Sequence, residues 1–132
     1  MNRQILFRGK RLDNGEWVYG DLEYNRAKNI ARIHTYDEEG EYLMQHLVEP
    51  DTVGQFTGLV DKNGKEIYEG DIIEITNPNT TEKYFSTVTW NLKGYYAATM
   101  GNNGNVILGY VDKSLIRVVN NIHDNPDLLN GK

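Results

Sequence analysis

The chain has 132 residues, with 14 basic and 19 acidic side chains that leave a net charge of −5. That length suits a single domain over residues 1–132, and a 39% hydrophobic, 11% aromatic composition supplies a packed core. The absence of cysteine excludes a disulfide framework, a thiolate nucleophile, an iron–sulfur cluster and any cysteine-based zinc site.

Glycine (13) and asparagine (15) together form a fifth of the chain, and both tolerate the positive φ that tight turns demand. The first turn signal is Asp13-Asn14-Gly15, which predicts a hairpin between residues 5–12 and 16–24. Residues 25–29 fit one loose turn. A second hairpin is expected to join Ile30–Tyr36 to Tyr42–Val48 through Asp37-Glu38-Glu39-Gly40. A third turns at Asn63-Gly64, between residues 56–60 and Glu66–Tyr68. Residues 72–76 read as a strand and 77–82, with Pro78, as an exposed loop. Asn91-Leu92-Lys93-Gly94 is the expected turn between strands 84–90 and 95–100. Strands at 106–111 and 116–122 follow, with a short turn at 112–115 between them. The tail reads as the start of a short helix, with Asn125 as cap and Pro126 at its first position. No window carries the apolar spacing of a long helix. The fold class is therefore mainly β, with about eight to ten short strands in hairpins and one or two helical turns. A partly open barrel and packed sheets both satisfy the pattern.

Residues 7–19 and 56–68 echo each other: Phe7/Phe56, Gly9/Gly58, Asn14/Asn63, Gly15/Gly64 and Tyr19/Tyr68 are identical. Duplication and two hairpins of similar build account for this equally well.

Catalytic patterns are missing from the sequence. His34, His46 and His123 have no metal-ligand spacing, so no metal site is expected. One register of the 30–48 hairpin places His34 and His46 on one face, and a one-residue slip separates them. Asp61-Lys62-Asn63-Gly64 starts like a calcium loop, but its glycine comes fourth instead of sixth. No phosphate-cradling glycine loop or serine-nucleophile motif occurs; Gly101–Gly104 reads as a hairpin loop. The reading is of a non-enzyme with no cofactor.

Two features point to binding. Arg8, Lys10 and Arg11 lie near Phe7, Trp17 and Tyr19, a mixture of charge and stacking surface that suits single-stranded nucleic acid. The alternative is a charged strand guarded against edge-to-edge pairing. Nine tyrosines and two tryptophans, Tyr95-Tyr96 among them, favour a protein interface or self-association. Apolar runs of three to four residues at most predict no membrane partner and a cytoplasmic protein. A pI near 5.1 disfavours a general nucleic-acid binder.

The segment Phe56-Thr57-Gly58-Leu59-Val60-Asp61-Lys62-Asn63-Gly64-Lys65-Glu66-Ile67-Tyr68-Glu69-Gly70-Asp71-Ile72-Ile73 resembles the signature of the YopX family. Phe7-Arg8-Gly9-Lys10 with Gly15-Glu16-Trp17-Val18-Tyr19-Gly20 resembles the family's opening hairpin. Asn121-Ile122-His123-Asp124-Asn125-Pro126-Asp127-Leu128-Leu129 is similar to its closing motif. The resemblance implies a β-rich protein encoded by phages and prophages, with no established activity and no catalytic residues to transfer. Its signature residues, Phe56, Gly58, Asp61, Asn63, Gly64, Tyr68, Gly70, Asp71, Asn125 and Pro126, read as architecture. The alternative is a ligand groove lined by Tyr68 and Asp71. The expected role is that of a self-associating phage or prophage accessory protein that also meets phage or host proteins. A nucleic-acid-binding module is the second choice, and a carboxylate-dependent enzyme a remote third.

Overall fold

Turn chemistry sets where the strands begin and end. In the computed structural model, which describes residues 5–90, 96–99, 105–125 and 127, the turns at Gly15, Gly40 and Gly64 have φ of +73°, +86° and +80°. An L side chain rarely adopts these values, so the glycines hold the three predicted hairpins in place. Among the described residues twelve strands follow in order: β1 (Phe7–Lys10), β2 (Trp17–Asn25), β3 (Ile30–Tyr36), β4 (Tyr42–Val48), β5 (Gly54–Val60), β6 (Glu66–Tyr68), β7 (Asp71–Thr76), β8 (Lys83–Thr87), β9 (Thr89–Trp90), β10 (Tyr96–Thr99), β11 (Asn105–Ile107) and β12 (Ile116–Asn121). Three 3-10 turns, at Pro50–Thr52, Leu108–Tyr110 and Lys113–Leu115, complete the described elements. The protein is mainly β, and the pairs β1–β2, β1–β5, β2–β3, β3–β4, β7–β8, β7–β12, β9–β10 and β10–β11 are antiparallel. Among the described residues no sheet closes into a barrel.

The chain divides into two compact units, Met1–Phe56 and Thr57–Lys132, with the division inside β5. In the first, the strand order is β4-β3-β2-β1-β5. Ala31, Ile33 and Val48 are buried at its core, and Phe7, Val18, Leu22 and Val53 pack on them. These residues occupy alternate positions, as one buried sheet face requires. Gly20 sits where β2 passes β3; an added Cβ would collide with the carbonyl oxygen of His34.

In the second unit, β6 pairs with the end of β5, β7 lies between β12 and β8, and β10 lies between β11 and β9. Its core joins Ile67, Ile73, Ile75, Val88, Leu108, Ile116 and Val118. Central strand β7 is buried along Asp71–Ile75, so it must also satisfy a charge, Glu74. Arg117, opposite it on β12, supplies two hydrogen bonds, from Nε at 3.3 Å and Nη2 at 3.2 Å. Those bonds, set against the cost of burial and helped by the charges of Arg117, Lys83 and Lys62, hold the Glu74 carboxyl below its usual pKa.

Two expected strands are corrected. The strand predicted over 106–111 ends at Ile107 and becomes a 3-10 turn, in which Leu108 is buried and Gly109 weakens extension. The strand predicted over 84–90 breaks at Val88, whose backbone is drawn aside by Gly70 N–H donating to its carbonyl and by its own N–H donating to Asp71 O. The predicted turn at 91–94, Tyr95, the 101–104 loop, Pro126 and the tail at 128–129 lie outside the described residues.

Candidate interaction face and edge of the N-terminal unit

Register decides which candidate residues meet. Arg8 pairs with Tyr19 and Lys10 with Trp17, so these four share one face of the β1–β2 hairpin. The Arg8 guanidinium lies 4.6 Å from the Trp17 ring centroid and the Lys10 ammonium 5.9 Å, a cation–π arrangement. Arg8 itself is buried, with 6% exposure. Arg11 does not join them. One residue further along the alternation, it grips Asp13 through Nε–Oδ1 at 2.9 Å and Nη2–Oδ2 at 2.6 Å. That bond holds the Asp13 carboxyl below its ordinary pKa. Arg8, Lys10 and Trp17 are therefore brought together and Arg11 is set apart.

The same face continues across β2 and β3 as a polar network that the sequence did not reveal. His34 meets Glu23 Oε1 at 2.7 Å through Nε2, and the Tyr42 hydroxyl at 3.1 Å through Nδ1. Tyr36 packs edge-on against Tyr42 at 5.6 Å. Burial and a hydrogen bond to Asp21 raise its hydroxyl pKa above the usual value. Carboxylate, imidazole and phenol spend their polar atoms on one another, which fastens three strands. His46 stands opposite Ile33 and His34 opposite Gln45, so the two histidines point to opposite faces. The signal for this network lay in the alternation of Glu23 and His34, legible only once the register is known.

β4 is an edge strand, and it carries exposed apolar side chains: Tyr42 (51%), Leu43 (58%), Met44 (51%) and Leu47 (47%). The outer side of its last turn is covered, because Leu12 N donates to Leu47 O and Glu49 N donates to Lys10 O. Beside this closure opens a cleft of about 450 Å³ between residues 11–13, Arg32 and residues 44–47. Arg32 reaches only loosely to Glu23, at 3.8 Å. Residues 37–41, at the other end of β4, are an acidic turn in which Asp37 Oδ1 accepts from the amides of Glu39 and Glu41.

The signature residues build the second unit and its approach. Phe56 is buried, and Gly58, Gly64 and Gly70 have φ of +85°, +80° and +87°. Asp61, 1% exposed, accepts from Asn63 N (2.8 Å), Lys65 N (2.9 Å) and Val118 N (2.9 Å). Burial opposes its charge, but the amides of Val118, Lys65 and Asn63, with the Lys65 ammonium, outweigh burial and lower its pKa. Tyr68 and Asp71 are each 2% exposed, with Tyr68 N donating to Asp71 Oδ2 at 2.7 Å; both are interior, not groove wall. The closing motif forms a turn in which Asn121 Oδ1 accepts from His123 N and Asp124 N, and Asn125 N donates to Asn121 O. His123 Nε2 lies 3.4 Å from where a Cβ on Gly70 would stand, and Ile122 N donates to Gly70 O. Among the described residues no three histidine, aspartate or glutamate side chains gather as metal ligands, and no helix is long and apolar enough to cross a membrane.

The family model described as YopX protein matches residues 6–130. The chain belongs to the YopX family. Two solved structures share its fold. Protein EF1440 from Enterococcus faecalis is 19% identical with a TM-score of 0.65, over 97% of this chain and 99% of that one. Protein YopX from Bacillus subtilis is 18% identical with a TM-score of 0.60, over 94% and 95%. No curated protein matches the chain. At these identities the two structures speak for the fold alone.

Proposed function

We propose that this YopX-family chain is a non-enzymatic, self-associating protein-interaction module that serves as a phage or prophage accessory protein in the host cytoplasm. The observation that carries the reading is edge strand β4, where four large apolar side chains are about half exposed and no formally charged side chain interrupts Tyr42–Val48. Edge strands of monomers are ordinarily blunted by charge, proline or cover. Apolar edges of this kind favour contact with another chain. Light scattering on the purified protein tests it: a mass above the monomer that falls on dilution is expected, and a monomer at every concentration overturns it.

A nucleic-acid-binding role is favoured by one observation, the shared face of Arg8, Lys10, Trp17 and Tyr19. It ranks second because Arg8 is buried against Trp17 and Asp21 and Glu23 continue the same face. Fluorescence polarisation against short single-stranded DNA and RNA at rising salt decides it. Binding that weakens steeply with salt, and is lost in Lys10→Ala, would raise it above the first reading.

A further inference from the structure

Resting on that reading, we infer that the partner of β4 is a second copy of the same strand, antiparallel across a twofold axis beside Met44. Three features of the edge lead there.

The first is the phase of the backbone. Leu47 O and Glu49 N point away from β3 and are taken by residues 10–12. Alternation then turns the Gln45 N–H and C=O outward as well. Met44 instead faces β3, where the Thr35 hydroxyl donates to its carbonyl at 3.0 Å. The edge open to a new strand thus runs from Tyr42 to His46.

The second is length. With the axis beside Met44, Tyr42–His46 of one copy lies opposite His46–Tyr42 of the other, and Leu43 stands across from Gln45. The added strand has to leave where Leu12 closes the slot at Leu47. β4 begins at Tyr42, so at that point the second copy has already turned into its 37–41 hairpin. Leu43 is also the extra residue of a β-bulge against Thr35 and Tyr36. A bulge confines pairing to a short stretch, so the contact closes as a pair of chains and does not extend into a ribbon.

The third is charge. Antiparallel pairing carries the acidic turn bearing Glu38, Glu39 and Glu41 to the cleft at the far end of the other β4. There Arg32 makes, among the described residues, only a loose contact with Glu23, and Arg11 is shared with Asp13. Parallel pairing would set acidic turn beside acidic turn. In the antiparallel pair Met44 is covered by its own copy, and Tyr42 and Leu43 by His46 and Gln45 of the other chain, with a polar rim.

The chain has no cysteine, so one introduced thiol reports the geometry cleanly. Met44 faces its own copy across the axis as a non-hydrogen-bonded pair, the closest kind of cross-strand neighbour and within disulfide reach. Under mild oxidation Met44→Cys is expected to form a covalent dimer, whereas Lys113→Cys, on the exposed 3-10 turn of the second unit, stays uncrosslinked. Met44→Lys, at an exposed position, is expected to keep the wild-type circular dichroism and to sediment as a monomer. A wild type that self-associates while Met44→Cys fails to crosslink and Met44→Lys still dimerises would overturn the β4 pairing and leave self-association standing. A wild type that is monomeric throughout would overturn both.

Discussion

Two hairpins with the same Asn-Gly signal are fastened in opposite ways. The β1–β2 turn closes with Gly15 N donating to Arg11 O and Arg11 N to Glu16 O. Its carboxylate, Asp13, lies in solvent against Arg11. The β5–β6 turn is one residue tighter, with Gly64 N donating to Asp61 O and Asp61 N to Lys65 O. Its carboxylate, Asp61, is buried and binds Val118 N, 57 residues further along the chain. The glycines before the turns differ too. Gly58 has φ +85°, whereas Gly9 lies where an added Cβ would meet Val48 at 2.9 Å. A turn signal fixes the reversal of the chain, and the buried partner of the turn decides what the hairpin holds together.

The largest test of that contrast is Asp61→Ala, which strands three amides, that of Val118 among them, without their acceptor. A loss on the order of 3 kcal/mol in denaturant unfolding is expected. The matching change Asp13→Ala is expected to leave unfolding unchanged, since an exposed ion pair contributes little. Equal losses would mean that the two turns are fastened alike.

Acid sharpens the same difference. Asp61 and Glu74 have folded pKa values below their unfolded ones. The stability they contribute is therefore complete above the ordinary carboxylate pKa of about 4 and is lost as pH falls through the lowered folded values. Unfolding followed below about pH 5 should show this loss, and Asp61→Asn should flatten that limb of the curve. Next in size, Gly15→Ala and Gly64→Ala should each cost about 1–2 kcal/mol, because both place a Cβ at positive φ. The two values should agree, since backbone strain is local to each turn. A marked inequality would show that tertiary contacts enter the turn conformation itself.

Much of the fold was legible. Asn14-Gly15, Asn63-Gly64 and the run from Asp37 to Gly40 announced their hairpins because positive φ restricts residue choice so sharply. The signature segment pointed to the YopX family and, through Asp61, Tyr68 and Asp71, to architecture. What stayed hidden was register and distance. His34 and His46 separate by face on a one-residue choice that composition does not encode. The Glu23–His34–Tyr42 contacts join three strands, and the Asp61–Val118 bond ties the β5–β6 turn to β12, so neither has a local pattern. Arg8, Lys10 and Arg11 looked like one basic stripe along the chain, but strand alternation turned Arg11 to the other face. The open edge at Tyr42–His46 emerged only from the strand order.

The measurement that bears most directly on the β4 edge is amide hydrogen exchange at Gln45, compared between concentrated and dilute protein. Free edge amides exchange quickly, and pairing with another chain protects them by mass action. Slow exchange of Gln45 N–H in concentrated solution that becomes fast on dilution is expected, while Asn63 and Lys65, held by Asp61, stay slow throughout. Exchange at Gln45 that is equally fast at both concentrations would contradict the pairing of one copy with another along β4.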